Sequence, residues 1–385
     1  MPINYLQLQP QIQQFGLDAR HSHDQIESKL QVALELLRLS VQGHPENQKD
    51  IIHTLEKKPG TDRCALPAGE QMDVAVDLPP GENPYCVLAA DGSQITPDAH
   101  EALSVALVNI SLIHFQPGSG QAPSVTVNSR FLHNAGGQIV MEQISEEQVN
   151  LERDVGELRM LAKGLPENSH PVVALRDGAL ELFHQPRQGR YFDEGFKQYL
   201  EGMRALSQKN IILAGYIDKP RADLVVSMLP FSVSSRQDAD LSGLSDVRLF
   251  QELLQPGQRS AIYKLLSSSG THYQDDLGLH FFYLNTGSKN KAWIARVEIP
   301  AWVAGDRQRV DLLHQALLDQ CHLMGQRPYP YLLHRAHEEA VVHQDEKDQL
   351  LERLAFELQC QGLGISHRSH KLSAKELPAR TRKKR

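Results

Sequence analysis

The chain has few cysteines, and they are scattered. Cys64, Cys86, Cys321 and Cys360 form no CxxC pair. This spacing speaks against a disulfide framework or a zinc finger and fits reduced thiols, so a cytoplasmic location is expected. Cys321–His322 is an adjacent pair with no matching partner pair. No stretch of ~18 apolar residues occurs, so no membrane span is expected. The start, MPINYLQLQPQIQQFG, lacks a basic segment followed by an apolar run, so no secretory leader is expected. There is no GxxxxGK[ST] and hence no evident P-loop, no GxSxG elbow and no HExxH helix. A GxG-type pattern at Gly118–Gly120 lacks the flanking strand and helix that would give it meaning. The formal net charge of -7 neither requires nor excludes a nucleic-acid partner, because local patches outweigh the sum.

What is present is enough apolar residue, 41% of 385, for one large domain or two moderate ones. Residues 1–80 read as polar and mostly helical. Within them, HDQIESKLQVALELLRLSV has apolar residues near helical spacing and acids in its first turns. A Pro/Gly-rich linker, LPPGENP, spans 78–84. Beyond it, strand-like runs (YCVLAA, SLIHF, SVTVNSRFLH, PVVALRDG, NIILAGYID, HFFYLN, AWIARVEIP) alternate with helical segments expected at 98–110, 146–163, 191–208 and 306–324. Early hairpin-like strands followed by strand–helix alternation predict an α/β fold with a mixed sheet. Residues 331–361 read as helical. The end, HRSHKLSAKELPARTRKKR, carries eight Lys/Arg against one Glu and reads as a disordered basic tail.

Five stretches carry chemistry. In YCVLAADGSQITPD, four apolar residues run into Asp91, then Gly and Ser. An ionised carboxylate at the edge of a core is costly unless a partner or a metal compensates it. PVVALRDGALELF repeats the device and delivers Asp177. Two such acids can converge if their strands are neighbours, since α/β ligands gather at the carboxyl ends of strands; Asp-Gly is also plain turn chemistry. LERDVGELRMLAKG is a helix with Glu152, Asp154 and Glu157 among Arg153 and Arg159. On spacing alone it reads as a solvated, salt-bridged face. GQRPYPYLLHRAHEEAVVHQ places Tyr329 at a helix entrance and His334, His337 and Glu338 within two turns. This is either a polar helix face or a source of one imidazole among carboxylates. LAGYIDKPRADLV ends a strand in Asp218, Lys219 and Arg221, which suit either a surface turn or a phosphate.

Taken in order, these stretches resemble the NurA nuclease family. The residues that carry the resemblance are AADGSQ at 89–94, Arg153-x-x-x-Glu157, LRDGAL at 175–180, GYIDKPR at 215–221, LLQPGQRS at 253–260 and YPYLLHRAH at 329–337. It runs from about residue 84 to 345. Ala179 departs from the Ser usual after the second Asp-Gly. The resemblance divides the chain into an N-terminal, mostly helical region (1–83), a nuclease domain (84–345) and a C-terminal helix with basic tail (346–385).

The resemblance implies an RNase H-like core and a Mn²⁺- or Mg²⁺-dependent nuclease, with two ions, that hydrolyses DNA in end resection for double-strand break repair. The implied modes are 5′–3′ exonuclease and single-strand endonuclease. It implies a homodimer working beside a hexameric HerA-type ATPase, on single- and double-stranded DNA ends. Carried over, Asp91, Glu157, Asp177 and His337 are the expected metal ligands and Tyr329 the accompanying catalytic aromatic. Glu152 is the alternative to Glu157 on the same helix. Oxygen ligands with one imidazole suit Mn²⁺ or Mg²⁺ better than zinc. Lys219 and Arg221, with the tail cations from Arg380 to Arg385, are the expected DNA contacts. The alternatives are an inactive DNA-end or ATPase-binding module of the same fold, or an RNase H-like nuclease for other nucleic acids.

Overall fold

The computed structural model describes residues 3–42, 63–81, 83–97, 105–132, 144–164, 170–182, 190–233 and 238–362. The basic tail and most of the expected 98–110 helix lie outside them. The chain divides into two compact units. The first comprises residues 1–82, 178–181 and 214–329, and the second residues 83–177, 182–213 and 330–385.

The first unit opens with helix α1 (Tyr5–Gln42), whose C-terminal half buries Leu30, Ala33, Leu36 and Leu37. Strand β1 (Arg63–Pro67) follows, in a stretch expected to be helical. It pairs antiparallel with β7 (Tyr263–Ser267), so Cys64, Ala65 and Leu66 are buried as sheet residues. Neither strand is evident in the sequence, because five residues are too few to establish a period. β8 (Leu279–Asn285) and β9 (Ile294–Pro300) complete an antiparallel run, and β6 (Ile212–Ile217) pairs with β9. The core is aromatic: Phe250 stacks on Tyr283 at 4.5 Å, and Tyr263 on Phe281 at 5.7 Å. Asp246 lies fully buried beside them and accepts from the amides of Val225 and Val226 and from the Tyr283 hydroxyl. Arg259, from the GQRS stretch, is equally buried and forks onto both oxygens of Glu70, at 2.9 Å each.

The second unit carries β2 (Cys86–Ile95), β3 (Ala106–Phe115) and β4 (Ser124–Leu132) as an antiparallel meander. Helix α2 (Glu146–Lys163) then crosses to β5 (Val172–Asp177), which runs parallel to β2. Three antiparallel strands, a crossover helix and a fourth strand parallel to the first form the RNase H-like order. Both pairing directions occur, so the sheet is mixed as expected. Residues 106–110 lie in β3, a correction to the helix placed over 98–110. ALVNISLIHF is a mostly apolar run interrupted by Asn109, Ser111 and His114, and pairing on both edges fixes it as strand. Ser145 and Gln148 form a capping box at the start of α2. Helix α3 (Arg190–Gln208) follows β5. The expected 331–361 helix is two helices, α4 (Tyr331–Ala340) and α5 (Gln344–Cys360), separated at 341–343.

Candidate active site

β5 ends at Asp177, beside the middle of β2. The register pairs Ala90 with Arg176, so Asp91 and Asp177 follow side by side; Asp91, expected at a strand end, instead lies within β2, which pairs with β3 as far as Ile95. The convergence expected of the two Asp-Gly motifs is therefore present in the backbone. Asp91 is 8% exposed, and Asp177 is exposed.

α4 lies over β2 and β3, and hydrogen bonds fix it there. The Ala340 carbonyl accepts from Ser93 Oγ and, at 2.8 Å, from Asn109 Nδ2. The Ala336 carbonyl accepts from Ser111 Oγ at 2.8 Å. The Ala340 carbonyl closes the helix without an intrahelical partner, so the strand side chains supply what the last turn lacks there. With α4 docked this way, His337 Nδ1 stands 2.8 Å from Asp91 Oδ2. His334, one turn earlier, instead faces Glu338 on its own helix, at 3.5 Å. The HxxH spacing thus resolves into His337, itself exposed, bonded to Asp91, and His334, half-buried, facing its own helix.

Glu157 points to the same β2 strand from α2. Arg176 Nε donates to Glu157 Oε2 at 2.7 Å, and Arg176 Nη2 donates to Asp154 Oδ1. Arg153 stands 3.6 Å from Glu157 Oε1. Asp154, Glu157 and Arg176 are all 5% exposed or less, so the helix face expected to be solvated is buried. Burial pushes the Glu157 carboxyl up; Arg176 and Arg153 oppose the shift, while Asp154 and Asp91 add to it. Glu152, the alternative residue, pairs outward with Arg130 at 2.5 Å and with the Tyr191 hydroxyl at 2.6 Å.

Strand alternation explains this division. Successive residues of a strand point to opposite faces. Asp91 faces α4, while a Cβ at Gly92 would meet Arg153 Cγ at 2.6 Å and Glu157 Oε1 at 3.0 Å on α2. Glycine is needed there because α2 comes that close. Arg176 faces α2 likewise, which directs Asp177 the other way. Asp91, Asp177 and His337 therefore share one side of the sheet, and Glu157 and Asp154 the other. Among the described residues, no three His, Cys, Asp or Glu side chains are gathered closely enough to hold a metal ion. The donor chemistry of Asp91, Asp177 and His337 suits a hard divalent cation. Glu157 as it stands is occupied by arginines.

Tyr329, Lys219 and Arg221 belong to the first unit. Tyr329 packs edge-on against Tyr216, 5.5 Å between centroids. Lys219 is exposed and lies 5.3 Å from the Trp293 ring centroid, and Arg221 is exposed. The sequence reading missed Arg176, Ser93, Asn109 and Ser111. Arg176 had a signal, since a buried-looking strand that carries an arginine needs a buried acid opposite it.

An RNase H-like domain with acids side by side on two neighbouring strands and a histidine reaching one of them is the class these features define. The chain belongs to the NurA family: the NurA domain model matches residues 86–342. No curated protein matches the chain. Among solved structures it is similar to the NurA nuclease from Sulfolobus solfataricus, at 12% identity and a TM-score of 0.48, over 75% of this chain and 87% of that one. It is also similar to human ENDOV, at 16% identity and a TM-score of 0.32, over 70% and 86% of the two chains. A third is Ciona intestinalis Endonuclease V bound to an inosine-containing 24mer DNA, at 11% identity and a TM-score of 0.32, over 69% and 87%.

Proposed function

We propose that the chain is a divalent-metal-dependent nuclease acting on DNA ends. The observation that carries the reading is the 2.8 Å contact between Asp91 and His337, which lie 246 residues apart, beside the end of β5 where Asp177 emerges. Membership of the NurA family supports it. Asp91, Asp177 and His337 are the residues that would hold Mn²⁺ or Mg²⁺. Glu157, the remaining expected ligand, lies on the opposite face of β2 and would have to leave Arg176 and Arg153 and reach past the strand to join them. Bound there, one or two ions would supply activation of water and stabilisation of the leaving oxygen. His337, held by α4 against Asp91, orients that carboxylate. Tyr329 is the accompanying aromatic, and Lys219 and Arg221 contact phosphates. Resection by 5′–3′ exonuclease and single-strand endonuclease action, a homodimer, a HerA-type ATPase partner and a cytoplasmic location complete the proposal. Among the described residues no helix is long and apolar enough to cross a membrane.

One observation favours a second reading, a non-catalytic DNA-end or ATPase-binding module. Glu157 and Asp154 are already compensated by Arg176, so that face of the sheet needs no metal. Cleavage of end-labelled single- and double-stranded DNA with Mn²⁺, Mg²⁺ or EDTA separates the two. Asp91→Asn and Asp177→Asn should each abolish metal-dependent cleavage while leaving the circular-dichroism spectrum unchanged. Wild-type turnover in either variant would refute the site.

A further inference from the structure

The first unit holds a pocket of about 740 Å³ that no step above uses. It lies where β8 turns into β9, and the residues that matter in its wall are Lys289, Lys291, Trp293, His322, Gln326 and Pro328. We propose that this pocket and the Ser288–Lys291 turn bind a single-stranded DNA segment, with phosphates on Lys289 and Lys291 and an unpaired nucleotide in the pocket. The inference rests on the reading that the chain acts on DNA.

The turn is built to hold its shape. Ser288 and Lys291 exchange both backbone hydrogen bonds, at 2.9 and 3.0 Å, which leaves Lys289 and Asn290 at the tip. Below it, the buried Asn285 side chain accepts from the amides of Gly287 and Trp293 and donates to the Leu254 carbonyl. A Cβ at Gly287 would meet the Lys291 carbonyl at 2.2 Å, so only glycine fits where the two arms close.

The cations are held on an aromatic post. Trp293 donates its indole N–H to Asp218 at 2.7 Å, which fixes the ring. Lys291 and Lys219 each lie 5.3 Å from the ring centroid. An ammonium over indole gains cation–π attraction without losing its charge. Among the described residues, Lys219, Lys289 and Lys291 have no ion pair with a carboxylate. The chain is acidic overall, yet this turn presents unpaired cations on a rigid support. Such cations are suited to phosphates, and the electrostatic contribution is largest where they are pre-ordered.

Pocket size selects the strand state. A volume near 740 Å³ is within the range of small-ligand sites, about 300–1,000 Å³. A duplex is too broad to enter, whereas an unpaired nucleotide is not. The wall also offers Pro328 and Trp293 as apolar surface and Gln326 as a hydrogen-bonding group.

The test is fluorescence anisotropy of a labelled oligothymidylate and a blunt duplex, in EDTA, across a salt series. Lys289→Ala with Lys291→Ala should weaken oligothymidylate binding on the order of tenfold at 0.1 M salt. It should lower the salt slope by about 1.4, the contribution of two single-strand phosphate contacts. Duplex binding should change less. The control, Lys197→Ala with Lys209→Ala, removes the same charge from the second unit and should leave both affinities near wild type. Unchanged oligothymidylate affinity in the turn variant overturns the inference, as does an equal effect of the control. Competition by thymidine monophosphate as effective as by the oligomer, at equal nucleotide concentration, overturns the strand assignment. Cleavage keeps the two readings apart. Active wild type with an inert turn substitution sinks this subsite alone, while turn-dependent binding without any metal-dependent cleavage sinks the nuclease reading alone.

Discussion

Replacing Arg176 by Met is the sharpest perturbation the structure offers. The guanidinium bonds Glu157 and Asp154 together, and its other neighbour is the Tyr199 ring, 5.9 Å from the Arg176 Cζ. Methionine keeps most of the volume, so packing loss is minor. What remains is two buried carboxylates beside Arg153 that have lost their shared guanidinium. Removing one partner of a buried ion pair typically costs about 3–5 kcal/mol, because the stranded charge stays desolvated. Burial already pushes the Glu157 carboxyl up, so the variant can take up a proton there, which places the cost toward the lower figure. Both tryptophans, Trp293 and Trp302, belong to the first unit, so indole fluorescence would miss the event. The assay is hydrogen exchange of α2 and β5 peptides along a urea series. The variant should lose about 3 kcal/mol of protection there. Asp154→Asn with Glu157→Gln, added to Arg176→Met, should recover most of it, since neutral amides strand no charge. A loss under about 1 kcal/mol, in the range of an exposed pair, would show that Arg176 does not carry these acids.

His337→Ala should cut metal-dependent cleavage severely with little change in DNA affinity, and His334→Ala should be mild, because only His337 reaches Asp91. Equal effects, or the reverse order, would mean that the wrong histidine has been assigned. His314 tests the first unit: it is fully buried, its Nε2 bonds to the Gly257 carbonyl, and burial lowers its pKa to about 4. A folded pKa below the unfolded value means the unfolded chain binds more protons between about pH 6.5 and 4, so stability falls as pH drops through that window. The contribution between pH 7 and pH 5 is about 2 kcal/mol, and urea unfolding of His314→Asn should lack it; an identical pH slope in the variant would count against a buried neutral imidazole.

Much of the site was legible because apolar runs announce strands. Val87 to Ala90 leads into Asp91, Val172 to Leu175 leads through Arg176 into Asp177, and a parallel register was all that was needed to place the two acids side by side; that β2 runs on to Ile95 was not legible. Helix boundaries in α2 and α3 were legible for the same local reasons of spacing and capping. β1 and β7 were not, since each is too short to show a period and exists only as the other's partner. Over 106–110 the expected helix gave way because the pairing of β3 on both edges outweighs it.

The harder lesson concerns which face an acid occupies. The family resemblance made Glu157 equivalent to Asp91 and Asp177, yet a strand turns each successive side chain to the opposite side. Arg176 precedes Asp177 by one residue, so if Asp177 faces the metal side, Arg176 must face α2, and whatever acid α2 presents there meets a guanidinium first. The same count applies to Asp91 and Gly92, where the missing side chain admits α2 close to the sheet. In the proposed nuclease, Glu157 would have to give up that arginine and reach past β2 to meet an ion beside Asp91. The like charge of Asp91, already felt at Glu157, disfavours having both carboxylates ionised without that ion. A nuclease built this way keeps its acid pair tolerable in the absence of metal by giving one acid an internal counter-ion. A module without catalysis would need Arg176 for stability alone. The two differ in one respect: in the nuclease, saturating Mn²⁺ should restore protection to the Arg176→Met variant, and in the module it should not.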